Sequence, residues 1–182
     1  MFMTEERGLS LIELLVFIVV VGVAVTGVVS VFSLNARSSA DPVVRKQAVA
    51  IAESLLEEVL AKPYTYCDPD DANAETATSP TDCATMPETA MAPEADETRY
   101  SNLTPYDNVN DYSGFSMVGI QDLTGATVDG LNAYSASIQV QSAGAFNAIP
   151  AGETLLVTVT VTAPGNHTVS LSGYRARYAP NF

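Results

Sequence analysis

Residues Leu9 to Phe32 form a run of 24 in which 18 positions are alanine or a large apolar residue, and only Glu13 is charged. Wound as a helix at about 1.5 Å per residue, the run reaches ~36 Å, more than the ~30 Å hydrocarbon core of a bilayer. The other positions, Ser10, Gly22, Thr26, Gly27 and Ser30, are small or bond back to their own helix, which lipid tolerates. A segment this apolar has to be covered by lipid or by other helices.

The helical period continues beyond the apolar run. Val44, Ala48, Ile51, Leu55 and Val59 follow at spacings of four, three, four and four, which is one stripe, while Arg45, Lys46, Glu53 and Glu57 lie largely opposite. Asp41-Pro42 reads as a cap followed by a first-turn proline, so a kink or short break is expected between Ser38 and Pro42. Lys62-Pro63 ends the pattern. From Gly114 the period changes to two. Ala136, Ile138 and Val140 alternate with polar residues, as do Leu155, Val157, Val159 and Val161, then Val169 and Leu171 after a Pro164-Gly165-Asn166 turn. These are half-buried antiparallel strands, the last two a hairpin, with a further strand over Phe115–Ile120. An apolar helix stripe and an apolar sheet face need each other. The expected fold is therefore α+β: a long N-terminal helical spine, kinked near Pro42, packed on an antiparallel sheet of about four strands.

Between helix and sheet, residues 63–113 are irregular. Pro63 to Asp111 holds six of the ten prolines and 11 of the 21 acidic residues, with Arg99 its only base. Long irregular connections of this kind are functional or poorly ordered. The only two cysteines, Cys67 and Cys83, lie here, and in an oxidising compartment they form a disulfide. Asp68, Asp70, Asp71, Asn73 and Glu75, with Asp82 beyond them, place hard oxygen ligands inside that loop at a density that suits Ca²⁺. The spacing is not that of an EF-hand, since Ala72 stands where a ligand is needed, and a solvated acidic loop explains the same residues. A single histidine and no Cys-x-x-Cys pair argue against zinc.

The net charge of −13 disfavours nucleic acid as a partner, because neutralising phosphates takes clustered Lys and Arg. A catalytic site is equally hard to assemble. His167 stands at a hairpin turn, where a surface residue is expected in place of a triad member, and no pair of carboxylates is singled out for glycoside chemistry. Tyr174, Arg175, Arg177 and Tyr178 form a basic-aromatic cluster that reads as strand packing and ion pairing.

The segment Arg7-Gly8-Leu9-Ser10-Leu11-Ile12-Glu13 carries the most information. A secretory signal places its small-residue cleavage site after a short apolar run, whereas here the glycine precedes a long one. Glycine, a hydrophobic residue, a hydroxyl residue, Leu-Ile, and glutamate at the fifth place after the glycine resemble the N-terminus of type IV prepilins. The resemblance implies cleavage by a prepilin peptidase between Gly8 and Leu9, methylation of the new amine on Leu9, and a role for Glu13 in assembly. A carboxylate in lipid costs ~2.5–3.5 kcal/mol at mid-bilayer on insertion scales. In a filament, Glu13 of one subunit can neutralise the Leu9 amine of a neighbour.

Further stretches are similar to minor pilins of mannose-sensitive haemagglutinin (MSHA) pilus systems. They are Asp41-Pro42 through Glu58, Tyr66 to Asp71, Asp107 to Tyr112, and Leu171 to Tyr178. On that resemblance the segments are a leader (1–8), a transmembrane and filament-core helix (9–33), an amphipathic helix (34–62), the acidic loop (63–113) and the sheet (114–182). The implied protein is a non-enzymatic subunit of the inner membrane, N-terminus cytoplasmic and domain periplasmic, which passes into a filament. Its implied partners are other pilins and minor pilins, the prepilin peptidase and the inner-membrane assembly platform. A type II secretion pseudopilin would share this N-terminus, a DNA-uptake pilin would be expected to carry a basic patch, and a signal-anchored envelope enzyme is the alternative of another kind.

Overall fold

The computed structural model describes residues 10–145 and 149–177, without the side chains of 34–41. The chain divides into two compact units, Met1–Val43 and Val44–Phe182. Helix α1, Leu11–Leu60, supplies both. Its helical backbone runs through Asp41 and contains Pro42, so the short break expected between Ser38 and Pro42 is absent, and Asp41-Pro42 does not begin a second helix. An interior proline removes one backbone hydrogen bond and crowds the carbonyl four residues earlier, at a cost of about 3 kcal/mol.

In the second unit the sequence periodicity is realised closely. Ala48, Ile51, Ala52, Leu55 and Val59 of α1 are buried, while Arg45, Lys46, Glu53 and Glu57 are exposed. Strands β1 (Ser116–Val118), β2 (Ser135–Ser142), β3 (Thr154–Ala163) and β4 (His167–Ala176) form a four-stranded antiparallel meander in chain order. The register pairs Ile138 with Val159 and Val159 with Leu171, so one face of the sheet is apolar throughout. That face and the α1 stripe form a single core, together with Val109, Tyr112, Met117 and Tyr134. On the opposite face Thr158 and Thr160 share hydroxyl hydrogen bonds with Ser172 and Ser170, each 2.9 Å. The β3–β4 turn needs left-handed backbone at Gly165 (φ 81°) and Asn166 (φ 60°), residue types that accept it. At Gly173 a β-carbon would lie 2.8 Å from Leu60 Cδ1, so glycine lets β4 close on the end of α1.

Candidate functional site

In the first unit, Leu11–Ser33 is long and apolar enough to cross a membrane. Every large apolar side chain from Leu11 to Phe32 is 41–80% exposed. Covering apolar surface of this kind, by lipid or by other helices, gains ~25 cal/mol per Å². The hydroxyls of Thr26 and Ser30 bond back to Gly22 O and Thr26 O, each 2.9 Å, which removes their polar cost in an apolar setting. Glu13 stands in the first turn, the only charged residue in Leu11–Ser33. The N–H groups of Glu13 and Leu14 both donate to Ser10 O, so the carboxylate is carried by a formed helix start. Gly8 and Leu9 lie outside the described residues.

In the second unit, the irregular region is held by polar contacts that the sequence pattern does not display. Cys67 and Cys83 are bonded, with their Cα atoms 5.5 Å apart. Asp71 is buried inside the closed loop, and its carboxylate accepts the backbone N–H groups of Asn73, Ala84, Thr85 and Met86 at 2.8–3.0 Å. Those amide bonds hold its acid well below the usual carboxylate range. Arg99, also buried, grips Glu58 of α1 through two hydrogen bonds of 2.8 and 2.7 Å. It donates as well to Gln121 O and Asp122 O, and Tyr112 Oη donates to the same Glu58 at 3.0 Å. Arg99 and Glu58 also line a groove of about 530 Å³, where each already satisfies the other.

Other carboxylates of the region gather beside Asp68 and Glu94. A backbone bridge pairs Cys67 with Pro87, with Asp68 N–H donating to Met86 O and Glu88 N–H to Tyr66 O. Asp68 and Glu88 are thereby brought beside Glu94. Asp68 also lies with Asp70 and Asp107, and Glu94 with Glu97 and Asp111; within each trio the carboxylate oxygens lie within 4.8 Å of one another. Burial pushes all the deeper members up: Asp68, Glu88 and Glu97 rise above the ordinary carboxylate range, Asp107 to about 7 and Asp111 to about 6. Neighbouring carboxylates add to the rise.

Of the residues named from sequence as cation ligands, the structure brings Asp68 and Asp70 into this cluster. Asp71 is engaged by four amides, Asn73 donates to Asp82 O at 2.8 Å, and Glu75 is exposed. The disulfide loop is solvated at Asp70, Glu75 and Asp82, whereas Asp68 and Asp71 are buried. Glu88, Glu94, Glu97, Asp107 and Asp111 escaped the sequence reading. They come from three separated stretches and share no local spacing; their only signal was the acid density of 63–111 as a whole. Arg177 packs as expected, 3.8 Å and 4.0 Å from the Tyr64 and Tyr66 ring centres and 3.3 Å from Glu153, while Tyr178 lies outside the described residues.

A pH dependence follows from the raised acids. The folded chain binds protons at Asp107 and Asp111 that the unfolded chain, with aspartates near 3.8, releases. Their contribution to stability is complete below pH ~4 and is lost as pH rises through 6 to 7. Asp71, Asp82 and Asp122 are shifted downward and act only below that window. In detergent with a chelator present, the thermal midpoint should rise as pH falls from 7.5 to 5. A flat or falling midpoint would contradict the buried placement of these acids.

Comparison with protein families, curated proteins and solved structures finds no match to this chain.

Proposed function

We propose that the chain is a minor type IV pilin, MshD-like in kind, processed by a prepilin peptidase and built into a pilus filament, where it starts or caps assembly. The observation that carries this reading is the position of Glu13. It is the only charged residue in Leu11–Ser33, one turn into an exposed apolar helix, and five places after Gly8. A carboxylate there is expensive in lipid and is tolerable where a cation meets it. Cleavage after Gly8 supplies that cation as the Leu9 amine. The exposed apolar face of α1 then has a second possible cover besides lipid, the same helix of neighbouring subunits. The acidic second unit, packed on the amphipathic half of α1, suits exposure to solvent on the periplasmic side and then along the filament. On this reading the chain is not an enzyme; it assembles with other pilins and an inner-membrane platform, and has no use for nucleic acid.

N-terminal sequencing of protein recovered from the host membrane should read from a methylated Leu9. A bulky residue in place of Gly8 should leave the precursor uncut and excluded from filaments, and Glu13→Ala should lower incorporation at least tenfold while leaving membrane insertion intact. Recovery of chain beginning at Met1, or full incorporation of Glu13→Ala, would end this reading. An anchored enzyme would keep its size and location when Gly8 is replaced. Co-purification with secretion subunits in place of pilus subunits would move the assignment to a type II pseudopilin.

A further inference from the structure

Four buried side-chain oxygens in the irregular region have no hydrogen-bond partner: Glu88 Oε1, Glu97 Oε2, Asn110 Oδ1 and Asp111 Oδ1. Asp111 is fully buried and uses only Oδ2, which accepts the N–H groups of Asp107 (3.0 Å) and Asn108 (2.6 Å). Asn110, 2% exposed, donates its amide to Glu88 and to Ala90 O, which leaves its own oxygen unpaired. Glu88 is 8% exposed. An orphaned buried acceptor keeps its full desolvation penalty, larger on a charged group, and a native fold rarely tolerates several together unless something meets them.

The arrangement says what would meet them. Glu94 belongs to two trios, one with Asp68 and Glu88, the other with Glu97 and Asp111. Unpartnered oxygens occur in both: Glu88 in the first, Glu97 and Asp111 in the second. Three oxygens no more than 4.8 Å apart all lie within about 2.8 Å of a common point, so a small inward movement brings the members of a trio to the ~2.4 Å Ca²⁺–oxygen distance. We propose that Glu94, flanked by Glu97 and Asp111 and by Asp68 and Glu88, is the shared carboxylate of a Ca²⁺-binding centre. The donor set is all oxygen and mostly anionic. Several carboxylates drawn from irregular loops suit the flexible, many-oxygen shell of Ca²⁺ better than the strict octahedron of Mg²⁺. Only Asp68 is common to this set and the contiguous Asp68–Glu75 ligands suggested by sequence. A bound ion would cross-link three stretches that regular secondary structure does not join: the Cys67–Pro87 bridge, the 94–97 turn and the 107–112 segment.

The test uses the full chain in detergent micelles at neutral pH, with thermal unfolding and titration calorimetry against CaCl₂ and, separately, MgCl₂. Calcium at ~1 mM, the range of extracellular modules, should raise the midpoint over the chelated protein and give a saturable heat; magnesium should do neither. Glu94→Gln removes the shared ligand and relieves repulsion, so it should fold without ions and bind Ca²⁺ at least tenfold more weakly. Glu75→Gln should bind as the parent does. Absence of a calcium response in the parent would overturn the proposal outright. Undiminished binding by Glu94→Gln, equal binding of magnesium, or loss of binding in Glu75→Gln would each overturn the site.

Discussion

Arg99→Ala should destabilise the chain by about 3–5 kcal/mol, lowering the thermal midpoint by roughly 6–20 °C. The arginine side chain is 4% exposed and its partner Glu58 is 19% exposed. Removing the guanidinium strands a carboxylate that is largely withdrawn from water and still beside Tyr112. Tyr112 is itself buried, and burial and Glu58 together hold its hydroxyl protonated as a donor. Two carbonyls, Gln121 O and Asp122 O, lose a donor in the same step. Arg99→Lys should recover only part of the loss, because an ammonium cannot make both bonds to Glu58 and still reach the two carbonyls. Glu58→Leu in the Arg99→Ala background should recover more than Glu58→Leu alone would suggest, since it removes the stranded charge. Urea unfolding of the four variants measures this directly. A loss below ~1 kcal/mol for Arg99→Ala would mean that the irregular region is not anchored to α1 through this pair.

Replacing Cys67 and Cys83 together by serine should cost about 3 kcal/mol, the chain-entropy value for a loop of this length. The loss should be confined largely to the loop and to what the loop positions. Cys67 is fully buried in a small cluster with Ala74 and Ala77, apart from the main core, and Asp71 ties the same loop through Ala84, Thr85 and Met86. Those amide bonds persist without the disulfide, so α1 and the sheet should still fold. Asp68 follows Cys67 directly, so the carboxylate cluster should loosen even where the core does not. Hydrogen exchange should therefore rise over 67–88 while β2 and β3 stay protected. Uniform loss of protection across the sheet would show that the loop belongs to the same cooperative unit as the core. Reduction of the parent protein should reproduce the serine variant.

These two predictions lie in the part of the molecule that sequence reading described least well. The contrast with α1 and the sheet has a simple cause. Ala48, Ile51, Leu55 and Val59 face the core because 3.6 residues make a turn, and Ala136, Ile138 and Val140 do so because side chains alternate along a strand. Such periods are written along the chain, as are the two cysteines, the hairpin residues Gly165 and Asn166, and the glycine five places before Glu13. Pro42 shows the limit even there: its local meaning was a helix start, and the surrounding helix overrode it.

What sequence alone determined is thus the set of elements, their buried faces and the apolar segment that needs covering. Tertiary structure alone decided the pairing of Arg99 with Glu58 across 41 positions, the use of Asp71 as an amide clamp, and the gathering of Asp68, Glu88, Glu94, Glu97 and Asp111 from separate turns. Apolar burial is a property each residue carries with it, so its pattern is legible one residue at a time. Ion pairing, desolvation and shared coordination depend on separations in space between groups with no fixed spacing along the chain, and become visible only once the fold has brought them together.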